Sequence, residues 1–561
     1  MSLFVFLLLV IFRRKPHIVQ VDPVFPQSES VLDGLAKWAV RLNLASFAID
    51  LAPELYRYSE NPRRFYFQDV FKKYEPWQDD YFNFNLAEQQ SPTYGYAFKA
   101  LTCTYVYEKV LEIFLLDSLV RRQSDKKLVF IGLSPDTVDF YQTFFNVKVG
   151  LPISRLWVVT RLFNLCLSFF VMLATVMRMG FRVRIFMTPV PVDLAFDWLK
   201  DIREFNLLSE IADCGRILLI DRFPGIPRNI LPPGLDIIHC GLNDGYFRPW
   251  QALSASVLAV RDIFSLFGAF GHLAPKQFYR VAVLPDKKLR IRSLFTRFPP
   301  RNCLGRDEYN VEHILRTQEL RRIDVSSLGL TNSFVTTWAS LAPNVRYVSY
   351  DKYYVFSAEF LKDQAHTWRK DMEVTSIGSY AISREGLTTK VERQRDEILI
   401  SMRVGFSSDE MIGMVRMVAE AFPKITVLLQ LRKDTITDLE QREISRRCTE
   451  GLNNVKLTTE EIYELMARCR YQISDVSGII AEAIQIGNTV FFADVLEMEH
   501  SIYRLFPRLS VKTAEELVER LSALENKTEV YPHEEYLGLF NLSTGQTAFD
   551  IMRTDLGLPL R

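Results

Sequence analysis

The residues best suited to chemistry lie in one stretch, Tyr471-Gln-Ile-Ser-Asp-Val-Ser-Gly-Ile-Ile-Ala-Glu-Ala-Ile-Gln-Ile-Gly-Asn-Thr-Val. A strand pattern ends at Ser474, a polar loop of Asp475, Val476, Ser477 and Gly478 follows, and a helical pattern begins at once. The first turn of such a helix offers unsatisfied N–H groups and the positive end of its dipole to an anion, and Gly478 lets the backbone come close. That combination suits a phosphate. Glu482 lies four residues further on, so the same helix face carries a carboxylate for ribose or sugar hydroxyls. A plainer account also fits: Ser477 as an N-cap, Asp475 against the dipole and Glu482 in solvent.

A second strand–turn–helix pattern occurs at Phe130-Ile-Gly-Leu-Ser-Pro-Asp-Thr. Its loop would lie at the carboxyl end of a strand, where parallel sheets place ligands, making Asp136 a candidate general base. Against this, Ser134, Pro135 and Asp136 together make a complete helix-start signature. The seven His residues show no metal-ligand spacing and no Asp-x-Asp occurs, so no metal site and no tightly bound cofactor are expected. Seven Cys, an odd number without a CxxC, argue against a disulfide framework and for a reducing compartment.

These residues need elements to hold them, and 561 residues with 48% apolar and 24% charged composition allow several full cores. With 68 Lys+Arg against 67 Asp+Glu there is no basic footprint, which sets nucleic-acid binding aside. After about residue 375 strand-like and helical segments alternate regularly, starting at Glu397–Met402 and ending at Thr489–Phe492. Five strands with four intervening helices predict a doubly wound Rossmann-like domain. Before it, apolar runs at Leu128–Gly132, Val183–Met187 and Ile217–Ile220 predict another parallel sheet covered on both faces. The division that follows is a mostly helical extension over 1–125, a Rossmann-like domain over 126–370 and a second over 371–561, with a hinge at 371–395. The fold class is α/β, two Rossmann-like domains facing a cleft.

Two segments bear on membranes. Leu3 to Phe12 is apolar and precedes Arg13, Arg14 and Lys15, but about 20 residues are needed to span and it has about ten. It reads as a buried strand or the end of an anchor. Leu162 to Val176 is uncharged yet holds Asn164 and Ser168, and reads as a buried helix of an α/β layer. The basic N-terminus leaves room for peripheral membrane contact.

The segment Val455-Lys-Leu-Thr-Thr-Glu-Glu-Ile-Tyr-Glu-Leu-Met-Ala-Arg-Cys-Arg-Tyr-Gln-Ile-Ser-Asp, with the loop and helix after it, resembles the nucleotide-sugar half of GT-B glycosyltransferases. It is most similar to surface-carbohydrate transferases related to CDP-glycerol glycerophosphotransferases. The resemblance covers residues 372 to 495. It implies a donor with a nucleotide diphosphate or CMP-type leaving group, and a glycan or lipid-linked acceptor. It also implies a cytoplasmic location, at or near a membrane. Donor contacts would come from Asp475, Ser477, Gly478, Glu482, Thr458 and Thr459. Gly378 and Ser379 match a cleft-lining strand, and Arg403 and Arg432 stand where phosphate is met. The family's Lys-x-His-Pro after the second strand is here Leu431-Arg-Lys, keeping charge without imidazole, and Asn488-Thr489 replaces a Lys-Pro pair. A non-catalytic scaffold on the same fold is therefore an open alternative. A different resemblance is to SGNH-type esterases and acyltransferases: Ile131-Gly-Leu-Ser134 followed by Asp236-Ile-Ile-His239. It implies a Ser134 nucleophile activated by His239 with Asp236 behind it; under the transferase reading His239 instead borders the cleft.

Overall fold

The computed structural model describes residues 17–20, 47–50, 76–105, 128–131, 143, 157–186, 188–197, 202–222, 235–308, 310–331, 346–361, 365–381, 394–402, 408–431, 438–475, 477–495, 501–506, 508–539 and 548–559. The chain forms two compact units. One comprises 1–65, 76–175 and 260–284, the other 66–75, 176–259 and 285–561.

In the first unit, β1 (His17–Gln20) pairs in parallel with both β2 (Phe47–Asp50) and β3 (Leu128–Ile131). Helix α1 (Phe84–Gln90) lies between β2 and β3 in sequence. The expected first strand of the 126–370 domain thus forms, but in a separate sheet of order β2-β1-β3. A short apolar strand carries no label for its partner, and here the partner lies far away along the chain.

Helix α2 (Trp157–Phe181) corrects the expectation of a buried helix. It is helical, but turned inside out. Asn164, Ser168 and Thr175 are fully buried, whereas Leu162 is 59%, Phe170 70% and Phe181 76% exposed. The inward side, which also buries Val171 and Met179, carries polar groups that have work to do. Asn164 Nδ2 donates to the carbonyls of Gly271 (3.0 Å) and Leu273 (2.8 Å), groups that the end of another helix leaves unsatisfied. Of the segment Val183–Met187, read as a strand, Val183 makes a single parallel bridge to Phe247 and 184–186 are irregular, while Met187 lies outside the described residues.

The strand that follows was not foreseen. It is β4 (Val192–Asp197), succeeded by α3 (Ile202–Glu210), β5 (Ile217–Asp221), β6 (Ile237–Gly241), α4 (Pro249–Phe270), α5 (Pro275–Ala282) and α6 (Leu284–Arg297). Then come β7 (Pro300–Gly305), α7 (Glu312–Arg321), β8 (Ser326–Leu330), β9 (Lys352–Val355) and β10 (Glu373–Ser376). These seven strands form one parallel sheet of order β10-β9-β8-β7-β4-β5-β6. Ile217 to Ile220 are all buried, as in a strand covered on both faces. Because β10 pairs with β9, Glu373–Ser376 belongs to this seven-stranded sheet.

The second sheet follows the expected elements closely. It contains β11 (Gln394–Met402), α8 (Ser408–Ala421), β12 (Thr426–Leu431), α9 (Asp438–Thr449), β13 (Val455–Thr458), α10 (Ile462–Arg468), β14 (Cys469–Ser474), α11 (Ile479–Gln485) and β15 (Thr489–Ala493). A sixth strand, β16 (Ser510–Val511), completes the order β13-β12-β11-β14-β15-β16. Read from its own first strand this is 3-2-1-4-5-6, the dinucleotide-fold order. Helices α12 (Ala514–Glu525), α13 (His533–Leu539) and α14 (Ala548–Asp555) end the chain. One apolar core runs from Leu194, Phe196 and Leu304 through Leu399, Leu428 and Val490 to Phe549 and Met552.

Candidate functional site

In a doubly wound sheet the crevice opens where strand order reverses, at the carboxyl ends of the two central strands. In the second sheet these are β11 and β14, whose Ser401 and Ser474 are paired in register. Ser474 Oγ is buried without a hydrogen-bond partner, and the buried Asp475 follows it. Ser477 then turns the chain: its Oγ accepts from the N–H of Ile479 (3.4 Å), and its carbonyl accepts from Tyr503 OH (2.6 Å). Burial holds the Tyr503 phenol well above its usual pKa, so that donor stays protonated. Gly478 is right-handed (φ −61°), so its value is the missing Cβ and not an unusual backbone.

Glu482 is buried, not in solvent. One carboxylate oxygen accepts from Ser379 Oγ and the other from Tyr463 OH, each at 3.0 Å. Ser379 also donates its backbone N–H to Gln485 Oε1 (2.7 Å), and Gly378 makes the bend with φ +67°, which favours glycine. Two motifs far apart in the chain, Gly378-Ser379 and the helix that carries Glu482, therefore meet on α11. Thr458 is more local: its Oγ lies 3.3 Å from Glu460 Oε1 and accepts from the Glu460 N–H. Arg468 bonds that Glu460 carboxyl and holds it below its usual pKa. Thr459 is exposed beside it. Arg403, Arg432, Asp136 and Ser134 lie outside the described residues.

His239 is on β6, with Nδ1 3.4 Å from Asp221 Oδ1. Asp236 is exposed and paired with Arg216 Nε at 2.7 Å. The Asp236–His239 partnership implied by the esterase resemblance is therefore not made; the acid beside this imidazole is Asp221. Among the described residues no cluster of His, Cys, Asp or Glu has the makings of a metal site.

The first sheet has its own reversal, between β4 and β7, and there the structure reveals a set of residues that sequence reasoning missed. Asp197 ends β4. It takes a bidentate fork from Arg222 (2.7 and 2.6 Å) and a further bond from Arg316. Arg316 also forks onto Asp307, which accepts from Tyr350 OH at 3.2 Å. Arg306 bonds Glu204. Burial would raise the Asp197 carboxyl, but Arg222 and Arg316 outweigh it and hold it below the usual range. Burial opposes the charge of Arg316, yet Asp307 and Asp197 raise its pKa well above normal. An Asp so compensated makes a rigid floor and a poor base. Beside it His313 stacks on Tyr350 (5.1 Å), and burial pushes its pKa down to about 4. A signal existed in the run Arg306-Asp307-Glu308 directly after a strand, but three charges in a row ordinarily mean solvent.

No protein-family model and no curated protein matches the chain. Solved structures similar to it include UDP-GlcNAc 2-epimerase from Neisseria meningitidis bound to UDP-GlcNAc, 12% identical over 65% of this chain and 99% of that one, TM-score 0.42. The wall teichoic acid polymerase TagF is 8% identical over 66% and 90%, TM-score 0.38. The calicheamicin glycosyltransferase CalG4 is 13% identical over 66% and 99%, TM-score 0.37.

Proposed function

We propose that the chain is a metal-independent glycosyltransferase-like enzyme that uses a nucleotide-activated sugar or polyol phosphate in surface-polysaccharide synthesis. The observation that carries this reading is the meeting of Gly378-Ser379 with Glu482 on α11, at the reversal edge of a 3-2-1-4-5-6 sheet. The donor phosphates would lie on the loop Asp475–Gly478, with Thr458, Thr459 and the cations Arg403 and Arg432 around them. Glu482 would reach a donor hydroxyl by exchanging its bond from Ser379 or Tyr463. An acceptor hydroxyl on a glycan or lipid-linked chain bonds to the donor's reacting atom while the bond to the nucleotide breaks. Negative charge growing on the leaving phosphate would be stabilised by the N–H groups of that loop and by Arg403 and Arg432. The acceptor's proton goes to a base in the first half, for which Asp136 and His239 are the candidates. Activated donors of this kind are cytosolic, which puts the reaction on the cytoplasmic side.

Thermal-shift screening with CDP, UDP and GDP conjugates and with CMP tests the reading. At least one should stabilise the wild type, and Gly478→Asp should abolish the response by setting a carboxylate where phosphate belongs. Failure of every nucleotide, or an undiminished response in Gly478→Asp, would remove the donor site and with it the transferase.

A further inference from the structure

We infer that the outward face of α2 is a membrane-docking surface, seated in the plane of an anionic phospholipid leaflet and not crossing it. This does not depend on the proposed reaction. On α2 Leu162, Phe163, Phe170, Leu173 and Phe181, and just past it Phe186, are each more than half exposed, while the side turned to the protein buries Asn164, Ser168 and Thr175 together with Val171 and Met179. A helix that keeps its polar groups inward and shows a wholly apolar stripe outward is the reverse of one that faces water, and is the pattern of one whose outer solvent is hydrocarbon.

Charge selects the occupant. From Phe140 to Val192 the chain carries six Lys or Arg and no Asp or Glu. A second protein copy would bring the same cations against themselves, whereas each basic residue near an anionic leaflet is favourable by about 1 kcal/mol. Two cations are placed for headgroups, Arg161 exposed near the start of α2 and Arg184 exposed just past its end, while Arg178, half in solvent, is paired with Asp286. Trp250, 81% exposed at the start of α4, supplies the amphipathic ring that favours the same depth.

Topology decides between lying in the leaflet and spanning it. Helices α2 and α4 are both long and apolar enough to cross. They run antiparallel, Met179 packing with Ala252 and Ala255 at one end and Asn164 meeting Gly271 and Leu273 at the other. But α2 leads into β4, and α5 and α6 bring the chain from α4 back to β7, the neighbour of β4. Were the pair to cross, this return leg would have to cross too, and α6 carries Asp286, Lys287, Lys288, Arg290 and Arg292. Arg261, its side chain 71% exposed, would be stranded midway along α4. An in-plane helix meets none of these costs. Its 25 residues extend about 37 Å along the surface.

The test uses full-length protein and vesicles of phosphatidylcholine with or without phosphatidylglycerol. Wild type should co-float with the anionic vesicles and keep part of that binding in high salt. The variant Leu162→Gln/Phe170→Gln/Phe181→Gln, changed only at exposed positions, should lose partitioning by roughly a hundredfold or more at unchanged melting temperature. Cys166 is the exposed one of the seven free cysteines and lies on α2, so a fluorophore there reads the face directly in the unmutated chain. Its emission should shift to the blue with vesicles and be quenched by brominated acyl chains. Absence of co-flotation, an unaltered triple variant, or binding abolished by salt without quenching at Cys166 would overturn the inference. So would a blue shift without lipid that tracks protein concentration, since the occupant would then be another copy.

Discussion

At the scale of single residues, the deepest commitment is the ion network around Arg316, whose side chain is 1% exposed and pairs with Asp197 and Asp307 at once. Buried pairs contribute little net stability when intact, but removing one partner strands the others. Arg316→Met should therefore cost about 3–5 kcal/mol, read as a lowered urea midpoint. The paired Asp197 has its folded pKa below the unfolded 3.8, so its contribution is present above pH 3.8 and disappears as pH falls through the lower folded value. His313 works the other way. Its folded pKa of about 4 lies below the unfolded 6.5, so between these values the unfolded chain binds a proton that the folded chain refuses. Stability should fall by up to about 3 kcal/mol as pH drops from 6.5 to 4, and His313→Gln should flatten that slope whatever its own midpoint. A slope unchanged in the variant would mean that another group titrates. Apart from the charged run Arg306-Asp307-Glu308, this network is not legible along the chain. Asp197 and Arg316 are 119 positions apart, and a sequence gives an isolated Arg no reason to be buried.

At the scale of elements, two glycines show what the strands demand of each other. Gly329 on β8 faces the Tyr350 ring, and a Cβ there would come within 2.4 Å of it. That ring cannot give way, being stacked between His313 at 5.1 Å and Tyr353 at 5.4 Å. Gly329→Ala should destabilise by about 1–3 kcal/mol by denaturation, and a neutral result would show that the stack is loose. The second sheet was readable to within a few residues because its central strands carry apolar runs, Ile398-Leu-Ile400 and Val427-Leu-Leu429, and its helices are evenly spaced. The first was not, for a local reason. Val192-Asp-Leu-Ala-Phe-Asp197 contains two carboxylates and follows Pro189 and Pro191, so it lacks the apolar run that marked Ile217–Ile220. Its Asp193 and Asp197 are tolerated because Arg301 and Arg222 meet them. The segment Val183–Met187 has the apolar texture of a strand but follows a helix that already turns its apolar side outward. Alternation and hydropathy report the partner a segment wants; they do not say whether that partner is protein.

At the scale of the whole molecule, α14 closes a connection that runs against chain order. It follows the second sheet, yet Arg553 forks onto Asp213 (2.7 and 2.6 Å) between α3 and β5 of the first, and also bonds the carbonyls of Glu210 and Pro559. On the same helix Asp555 accepts from Tyr354 OH (2.7 Å) and pairs with Lys352 Nζ (2.8 Å), both on β9. The last helix is thereby tied by side chains to the seven-stranded sheet, and its Phe549 and Met552 enter the core that the two sheets share. Arg553 is buried, so its loss leaves Asp213 and two carbonyls to find other donors. Arg553→Ala should cost about 3 kcal/mol or more and expose the end of the chain to limited proteolysis. Arg553→Lys keeps the charge but not the planar fork, and a single ammonium cannot serve a bidentate carboxylate and two carbonyls together, so it should restore less than half of the loss. Full rescue by Lys would mean that charge alone matters. The comparison then separates an electrostatic attraction, which screening by salt would weaken in both proteins, from a geometric clamp, which salt would leave nearly untouched in the wild type.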